Sequence, residues 1–230
     1  MPVLKTVAII PSAGLGRRMG SQKKNYLDLL ARPILAHTLG AFERCSSIDS
    51  VIVVVTPGDE VFCRKDIIER FGLRKAARVI AGGAERQDSV YNALEYTDGF
   101  DLIAVHDGAR PLVTVEIIEA VIRAATESGS AIAAVPVKDT VKSISDGFVE
   151  KTIDRTSLVS VQTPQVFRRD ILLQSFDQAR RDNYKGTDES SLAERAGFKV
   201  KAVPGSYENI KITTPEDIII AESILRNRAG

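Results

Sequence analysis

Short apolar runs rich in β-branched residues recur along the chain, and they constrain its fold more than any other feature. Stretches with the apolar spacing of helices separate these runs, which cover 6–11, 50–56, 77–81, 101–106 and 130–137. Continuous apolar strands are typical of sheets buried on both faces, and alternating strands and helices require right-handed crossover connections. The pattern therefore predicts a mainly parallel sheet covered by helices on both sides.

The helical stretches between and after these runs complete the prediction. They are Pro33–Arg44, Arg86–Tyr96, Val115–Ser128, Arg169–Arg181, Asp188–Ala196 and Pro215–Arg228. The last begins most clearly, because Thr214 can cap it, Pro215 suits the first helical position and Asp217 is an acid in the first turn. Together these elements predict an α/β fold class, a three-layer Rossmann-like sandwich. Because no linker-like composition interrupts the chain, we expect a single domain over residues 1–230.

Residues 138–160 do not follow this rhythm. They form two polar stretches with scattered Thr, Val and Ile around Ser145–Phe148, where Asp146-Gly147 is a strong hairpin signal. A two-stranded hairpin alone is marginally stable in water, so it is expected to pack against a partner, and a second copy of the chain is the simplest one. The sequence thus predicts a projecting β-hairpin arm at about 138–160, inserted in the domain, and a homodimer formed through it.

Composition excludes several classes of function. The 230 residues carry 31 Lys and Arg against 30 Asp and Glu, so nothing predicts non-specific binding to nucleic acid. Cys45 and Cys63 form no CxxC pair, and with two histidines they cannot supply a zinc site of the usual spacing. We find neither a secretory leader nor an apolar run of about 18 residues, so we expect no membrane contact and a cytoplasmic protein.

The first apolar run leads directly into SAGLGRRMG, residues 12–20, which is the most informative segment. Small residues and glycines after a strand let backbone N–H groups approach an anion, and the nearby arginines and lysines add positive charge. The segment fits neither the dinucleotide pattern GxGxxG, because the third glycine falls one place late at Gly20, nor the GxxxxGK[ST] loop. It predicts a phosphate site, with a glycine-rich turn of purely structural role as the alternative.

The run PSAGLGRRMG, residues 11–20, followed by KKNYL, resembles the signature of nucleotidyltransferases that join a nucleoside triphosphate to a sugar or polyol phosphate. Further segments narrow the resemblance: GGAERQDSV at 82–90, VHDGARP at 105–111, and NIKIT at 209–213 with the following PED at 215–217. In this order and spacing they are similar to the 2-C-methyl-D-erythritol 4-phosphate cytidylyltransferase family. The match spans nearly the whole chain, including the arm, which in this family clasps a second subunit.

The resemblance implies roles on the nucleotide side of a site. It implies that Arg18 and Lys24 stabilise the α-phosphate of CTP and that Lys211 draws the two substrate phosphates together. Because the family commonly has Pro-Lys-Gln where this chain has Lys23-Lys24-Asn25, Lys23 remains a competing candidate. The predicted nucleotide-binding residues are Ser12, Ala13, Gly14, Gly16, Gly82, Arg86 and Ser89. The resemblance implies that the last three belong to a loop that recognises cytosine and ribose, and a Gly-Gly turn with a capping serine is the structural alternative.

On the acceptor side the resemblance implies that a polyol phosphate is bound by Asp107, Arg110, Thr140, Arg155, Thr187 and Lys211. In the family the residue matching Arg155 reaches the site from the other subunit. A carboxylate at the end of an apolar strand can also hold Mg²⁺, the expected cofactor, so Asp107 is predicted to bind metal, substrate or both. The alternative for Asp107 and Arg110 is a structural ion pair. His106 and Thr163-Pro164-Gln165 are predicted to be structural, and neither cysteine receives a role.

The predicted reaction condenses CTP with 2-C-methyl-D-erythritol 4-phosphate, giving the CDP-linked polyol and pyrophosphate by in-line attack on the α-phosphate. Three alternatives remain open. The acceptor is ribitol 5-phosphate in a related family with similar motifs. A non-catalytic nucleotide-binding module would keep the fold without the activity, and an NAD-dependent dehydrogenase is disfavoured by the late Gly20.

Overall fold

The structure is a computed structural model, and it describes residues 4–14 and 23–229. Its strands are Thr6–Pro11 (β1), Asp28–Leu29 (β2), Arg32–Pro33 (β3), Ser50–Val55 (β4), Arg78–Ala81 (β5), Leu102–Val105 (β6), Ser130–Pro136 (β7), Val141–Ser145 (β8), Phe148–Ile153 (β9), Val159–Arg168 (β10) and Lys201–Pro204 (β11). Its α-helices are Ile34–Arg44 (α1), Glu60–Phe62 (α2), Arg86–Leu94 (α3), Val115–Ser128 (α4), Arg169–Arg181 (α5), Glu189–Arg195 (α6) and Pro215–Ala229 (α7). A π-helical segment, Cys63–Glu69, continues α2.

A seven-stranded sheet in the order β11-β7-β10-β6-β1-β4-β5 forms the centre of the molecule. β1 pairs in parallel with both β4 and β6, β4 pairs in parallel with β5, and β11 pairs in parallel with β7. β10 runs antiparallel to its neighbours β6 and β7. The α/β prediction of a mainly parallel sheet is confirmed.

Strand residues alternate between two apolar clusters, one on each face of this sheet. Ala8 and Ile10 of β1 pack into the cluster that contains α1 and α4, whereas Val7 and Ile9 pack into the cluster that contains α3, α5 and α6. Because successive side chains of a strand point to opposite faces, an unbroken apolar run fills both layers at once. The three-layer packing therefore explains why the strands appear in the sequence as unbroken apolar runs.

The sequence patterns missed several elements. β10 and β11 were not predicted as strands, and the segment from α2 to Glu69 was not predicted as helical. The predicted arm also extends too far, because Val159 and Ser160 pair with β7 in the main sheet. The helix predicted at the C-terminal end begins at Pro215 as expected, and Asp217 accepts hydrogen bonds from the Thr213 and Thr214 backbone N–H groups at 2.7 and 2.9 Å.

The arm itself is a two-stranded sheet of β8 and β9. Asp146 and Gly147 at its tip both have positive φ angles, 50° and 83°, as the Asp-Gly signal predicts for a tight hairpin turn. Its large apolar side chains face solvent, since Ile144 is 70%, Phe148 79% and Val149 63% exposed. The described part of the arm therefore has a β-hairpin conformation but no packed core. That the chain is a single domain with this arm inserted stays a prediction.

Two other expectations concern the whole chain. Within residues 4–14 and 23–229, no helix is long and apolar enough to cross a membrane. Cys45 and Cys63 are free and fully buried. Burial raises the pKa of the Cys63 thiol to about 12, which disfavours the reactive thiolate.

Candidate active site

A cleft opens where β1 and β6 end, between the two halves of the parallel sheet. The chain passes from β1 to β4 and β5 on one side of β1 and then returns to β6 on its other side. Loops that follow neighbouring parallel strands diverge at such a point, and ligands bind in the crevice between them. Here the diverging segments are Ser12–Gly14 after β1 and His106–Gly108 after β6.

Two glycines allow the loops of the cleft to come this close. A Cβ atom on Gly108 would lie 2.0 Å from the Ser12 hydroxyl oxygen, and one on Gly82 would lie 2.5 Å from the Ala13 Cβ. Neither distance is possible for a side chain, so the backbone contact between these segments depends on glycine at both positions. The close packing of the cleft walls therefore explains why glycine occurs at these positions in two separate motifs.

The cavity in this cleft has a volume of about 510 Å³ and is lined by most of the residues predicted to bind nucleotide. Gly82 lies directly behind this wall, against Ala13 and Ser89. The Ser89 hydroxyl accepts a hydrogen bond from the Gly83 N–H at 3.1 Å and donates one to the Glu85 carbonyl at 3.0 Å, so it braces the loop. The predicted residues among the lining are Ser12, Ala13, Gly14, Lys24, Arg86, Ser89, Asp107 and Lys211.

Asp107 occupies the floor of the cleft and is only 8% exposed. Its Oδ1 accepts a hydrogen bond from Arg86 Nε at 2.9 Å, and its Oδ2 lies 2.8 Å from Lys211 Nζ. Burial disfavours the ionised carboxyl, but these two cations outweigh burial and hold the pKa of Asp107 well below its usual range. Asp107 is therefore an anion at any physiological pH.

Arg110 lies farther from Asp107 than we would expect if the two residues formed only a structural ion pair. Arg110 Nε lies 3.9 Å from Asp107 Oδ2, while its Nη1 donates to the Asn209 carbonyl at 2.7 Å. Burial lowers the pKa of Arg110 from its usual value, although Asp107 partly opposes the change. The ion pair predicted as an alternative is thus present, but it is the longest of the three that Asp107 forms with described residues.

Glu189 belongs to the same network, and the sequence analysis did not identify it. Its carboxylate is 1% exposed and accepts hydrogen bonds from Arg86 Nη1 and Nη2 at 2.7 and 2.9 Å. Glu189 is the first residue of α6, directly after the helix cap Asp188. An acid in the first turn of a helix is usually explained by the helix dipole, so the sequence contained no stronger signal for it.

His106 is buried and fully hydrogen-bonded, as predicted for a structural histidine. Its Nε2 lies 3.1 Å from the Arg110 carbonyl, which can only accept, so Nε2 carries the proton. Nδ1 then accepts from the Thr163 hydroxyl at 3.0 Å, and that hydroxyl accepts the Asp107 backbone N–H at 3.1 Å. Burial lowers the pKa of His106 to about 4, so the ring is neutral at pH 7.

The structure separates the two competing lysines. Lys24 lines the cleft, whereas Lys23 Nζ lies 2.5 Å from Asp59 Oδ1. Asn25, which the sequence analysis did not single out, is buried and donates to the Ser12 carbonyl at 2.8 Å. The predicted residues Gly16 and Arg18 lie outside the described residues.

The remaining acceptor residues do not line the cleft of the described chain. Thr140, Arg155 and Thr187 are all exposed. Arg155 lies at the base of the arm, where its guanidinium donates to the Lys138 carbonyl. Thr187 directly precedes the cap of α6, so it lies two residues from Glu189.

The described residues do not form a metal centre by themselves. Within the described parts of the chain, no group of three or more His, Cys, Asp or Glu side chains is placed to hold an ion. Asp107 offers one carboxylate that already contacts two cations. Mg²⁺ needs few protein ligands when phosphate oxygens and water supply the rest, so this carboxylate fits an ion that arrives with a triphosphate.

Comparison with known proteins identifies the family. The family model for 2-C-methyl-D-erythritol 4-phosphate cytidylyltransferase (IspD) matches residues 6–227. The chain belongs to this family. A cytidylyltransferase of this name from Pelotomaculum thermopropionicum is 49% identical over 98% of this chain and 96% of its own length. Another, from Alkaliphilus metalliredigens, is 48% identical over 97% of this chain and 94% of its own length.

Solved structures of cytidylyltransferases agree with the fold. The 4-diphosphocytidyl-2C-methyl-D-erythritol synthase of Anaerococcus prevotii matches with a TM-score of 0.85 and 34% identity, covering 97% of both chains. The 2-C-methyl-D-erythritol 4-phosphate cytidylyltransferase of Thermus thermophilus matches with a TM-score of 0.81 and 32% identity, covering 97% of this chain and 100% of that one. These matches confirm the predicted resemblance to a nucleotidyltransferase family. They do not support the dehydrogenase alternative.

Proposed function

We propose that this cytidylyltransferase transfers the cytidylyl group of CTP to 2-C-methyl-D-erythritol 4-phosphate within the cleft between β1 and β6. The observation that carries the proposal is that residues from motifs far apart in the sequence line one cavity. Ser12–Gly14, Lys24, Ser89, Asp107 and Lys211 all contribute to its wall. In the reaction an acceptor phosphate oxygen bonds to the α-phosphorus of CTP, and the bond from that phosphorus to the bridging oxygen breaks, which releases pyrophosphate with the electron pair.

On the nucleotide side, the segment after β1 supplies the phosphate contacts. Ser12–Gly14 present small side chains to the cavity, so a phosphate can approach their backbone, and Lys24 adds a positive charge. The attacking phosphate is already an anion, so the reaction requires no general base. Its main requirement is stabilisation of the negative charge on the oxygens of the α-phosphate. We assign this role to Lys24, with Arg18 as its partner from the resemblance.

On the acceptor side, Asp107 and Lys211 form a pair of opposite charge at the floor of the cleft, 2.8 Å apart. The carboxylate suits the hydroxyl groups of a polyol, and the ammonium group suits its phosphate. Arg110 lies at the edge of this pair and would contribute to the same pocket. When bound, Mg²⁺ would neutralise part of the triphosphate charge, and Asp107 is the described residue that would hold it.

We further propose that the enzyme works as a homodimer in which the arm completes the neighbour's site. Thr140 and Arg155 are exposed and do not line the cleft of their own chain. The exposed Ile144, Phe148 and Val149 supply an apolar surface of the kind that a second subunit buries. A cytoplasmic location is proposed with it, since both buried cysteines are free and the substrates are phosphorylated metabolites.

Pyrophosphate release tests the proposed reaction directly. Purified protein is incubated with Mg²⁺ and CTP, and 2-C-methyl-D-erythritol 4-phosphate and ribitol 5-phosphate are added in parallel, with a control that contains neither acceptor. We expect release only with the methylerythritol phosphate. Release only with ribitol 5-phosphate would indicate the same cytidylyl transfer with a different acceptor. No release with either acceptor, while CTP still raises the melting temperature, would indicate a non-catalytic nucleotide-binding protein.

A further inference from the structure

The Arg86–Glu189 ion pair lies beneath the proposed acceptor pocket and is not explained by substrate binding. Glu189 is 1% exposed, so its carboxylate meets no bulk solvent, and both of its oxygens are used by Arg86. Burying a carboxylate is unfavourable unless it is paired with good geometry. A fully buried acid at the edge of a cleft therefore requires a reason beyond stability.

Arg86 connects this buried acid to Asp107. The guanidinium uses Nη1 and Nη2 for Glu189 and Nε for Asp107 Oδ1, at 2.9 Å. Because the guanidinium is planar and rigid, a two-point contact with Glu189 fixes its plane and thereby the direction of the Nε–H bond. Glu189 is thus linked through Arg86 to one oxygen of the Asp107 carboxylate, whose other oxygen contacts Lys211.

Glu189 is itself held to the central sheet, so it can serve as a fixed point. Asp188 caps α6 by accepting the Ser191 N–H at 2.9 Å, and it accepts Gln165 Nε2 at 2.7 Å. The Gln165 side-chain oxygen in turn accepts the Ser190 N–H at 2.9 Å. Gln165 belongs to β10, the neighbour of β6, whose end carries Asp107. The start of α6 is therefore fixed relative to the strand that positions Asp107.

We propose that Glu189 is a positioning residue for the acceptor, acting through Arg86 to orient the Asp107 carboxylate. The inference rests on the proposed function, in which Asp107 contacts the polyol hydroxyls. It also reinterprets Arg86, which the sequence assigned to nucleotide recognition, as the link between the two carboxylates. The effect of losing Glu189 is expected mainly on the acceptor, because the phosphate contacts assigned to CTP come from Ser12–Gly14 and Lys24, which are separate segments of the cleft wall.

Steady-state kinetics of Glu189→Gln separate positioning from general stability. The amide keeps the shape of the side chain but cannot accept both guanidinium contacts, so Arg86 loses its fixed plane. We expect the KM for the acceptor to rise about 10-fold or more, with the KM for CTP within about twofold of wild type. Glu194→Gln, an exposed acid on the same helix, is the matched control and should change neither value. An equal rise in both KM values would contradict the proposal.

A double-mutant cycle tests whether Glu189 acts through Asp107. In an Asp107→Asn background the carboxylate that Arg86 orients is gone, so adding Glu189→Gln should produce little further loss of kcat/KM. If the two substitutions lower kcat/KM by independent factors that multiply in the double variant, the proposal is wrong. If Glu189→Gln folds poorly, Glu189→Asp retains the buried charge and shortens the side chain, and it should show a smaller effect of the same kind on the acceptor alone.

Hydrogen exchange of the Arg86 Nε–H, followed by NMR and assigned with Arg86→Lys, provides a readout that does not need activity. We expect slow exchange in the wild type and exchange at least about 10-fold faster in both Glu189→Gln and Asp107→Asn. Unchanged exchange in Glu189→Gln would refute the positioning role even in an active enzyme. If exchange is faster in the variants but the wild-type protein releases no pyrophosphate, the positioning network would be supported and the proposed function refuted.

Discussion

The floor of the cleft and the hairpin arm differ in how their functional side chains are held. On the floor, Asp107 is 8% exposed and contacts Arg86 and Lys211 at hydrogen-bond distance. On the arm, Phe148 is 79% exposed, and the Arg155 guanidinium is exposed and donates to the Lys138 carbonyl. The described chain thus contains one region whose charged side chains are paired and one whose side chains still face solvent.

The difference indicates where each region obtains its order. The floor is ordered by contacts within the chain, because buried charges are stable only when they are paired. The arm has hairpin geometry but no apolar partner, and a hairpin of this kind is marginal alone. In the proposed homodimer, the floor of one chain and the arm of the other would together form one site.

Replacing Lys24 with Ala should have the largest effect on the floor region. Removal of a positioned cation that stabilises the transition state is expected to lower kcat/KM by about 100-fold or more, with little change in stability. Steady-state pyrophosphate release and thermal unfolding measure the two quantities. Lys23→Ala is the matched control, since Lys23 pairs with Asp59, and it should remain within a few-fold of wild type. A larger loss of kcat/KM in Lys23→Ala than in Lys24→Ala would assign the stabilisation of the α-phosphate to Lys23.

Replacing Arg155 with Ala tests the arm by the same assay. Loss of a guanidinium that pairs with the acceptor phosphate should raise the KM for 2-C-methyl-D-erythritol 4-phosphate by about 10- to 100-fold. The KM for CTP should change far less. If both values rise together, Arg155 does not belong to the acceptor pocket.

A change at the arm tip should weaken the dimer without changing the fold of the floor. Burying an aromatic side chain contributes about 1.5–3 kcal/mol and a homodimer loses two of them, so Phe148→Ser should raise the dimer dissociation constant by about 100-fold or more. Sedimentation velocity over a range of concentrations measures this constant. Ile219→Ser serves as the control, because Ile219 is a similarly exposed apolar residue, 72%, on a different element, α7. A monomeric wild type at micromolar concentration would refute the dimer.

The smallest predicted effect concerns the pH dependence of stability. Burial lowers the pKa of His106 from 6.5 to about 4, so between these values the unfolded chain binds a proton that the folded chain does not. The free energy of unfolding should then fall as pH falls, by about 1.4 kcal/mol per pH unit from this residue. Urea unfolding at pH 7 and about pH 5 should show a shallower dependence for His106→Gln. An identical slope in the two proteins would contradict the assignment of a neutral, buried ring.

Most of the central fold could be predicted because its signal is local. Unbroken apolar strands and capped helices mark β1, β4, β6 and α7, and the rule for ligand position at strand ends then places Ser12 and Asp107 together. β10 escaped prediction because Gln162 and Thr163-Pro164 interrupt its apolar pattern, although the buried Thr163 hydroxyl accepts the Asp107 backbone N–H at the floor of the site. β11 was missed because its residues, KAVP, are mostly exposed and form no continuous apolar run.

The parts of the site that depend on distant contacts could not be predicted. Glu189 is separated from Arg86 by 103 positions, and no local spacing connects them. Its role follows from the burial of both carboxylates against one guanidinium, which is a property of the folded chain. No local pattern places Arg155 outside its own cleft either, and only the family resemblance raised that expectation.

Mixed dimers give the most direct test of the division between floor and arm. Lys24→Ala and Arg155→Ala chains with different affinity tags are co-expressed, and total activity is measured at an acceptor concentration where each parent is nearly inactive. If the arm serves the partner's cleft, each mixed dimer has one site with both residues intact, and random assortment restores about a quarter of wild-type activity. If Arg155 serves its own cleft, every site carries a defect, and activity no higher than that of the parents would contradict the account.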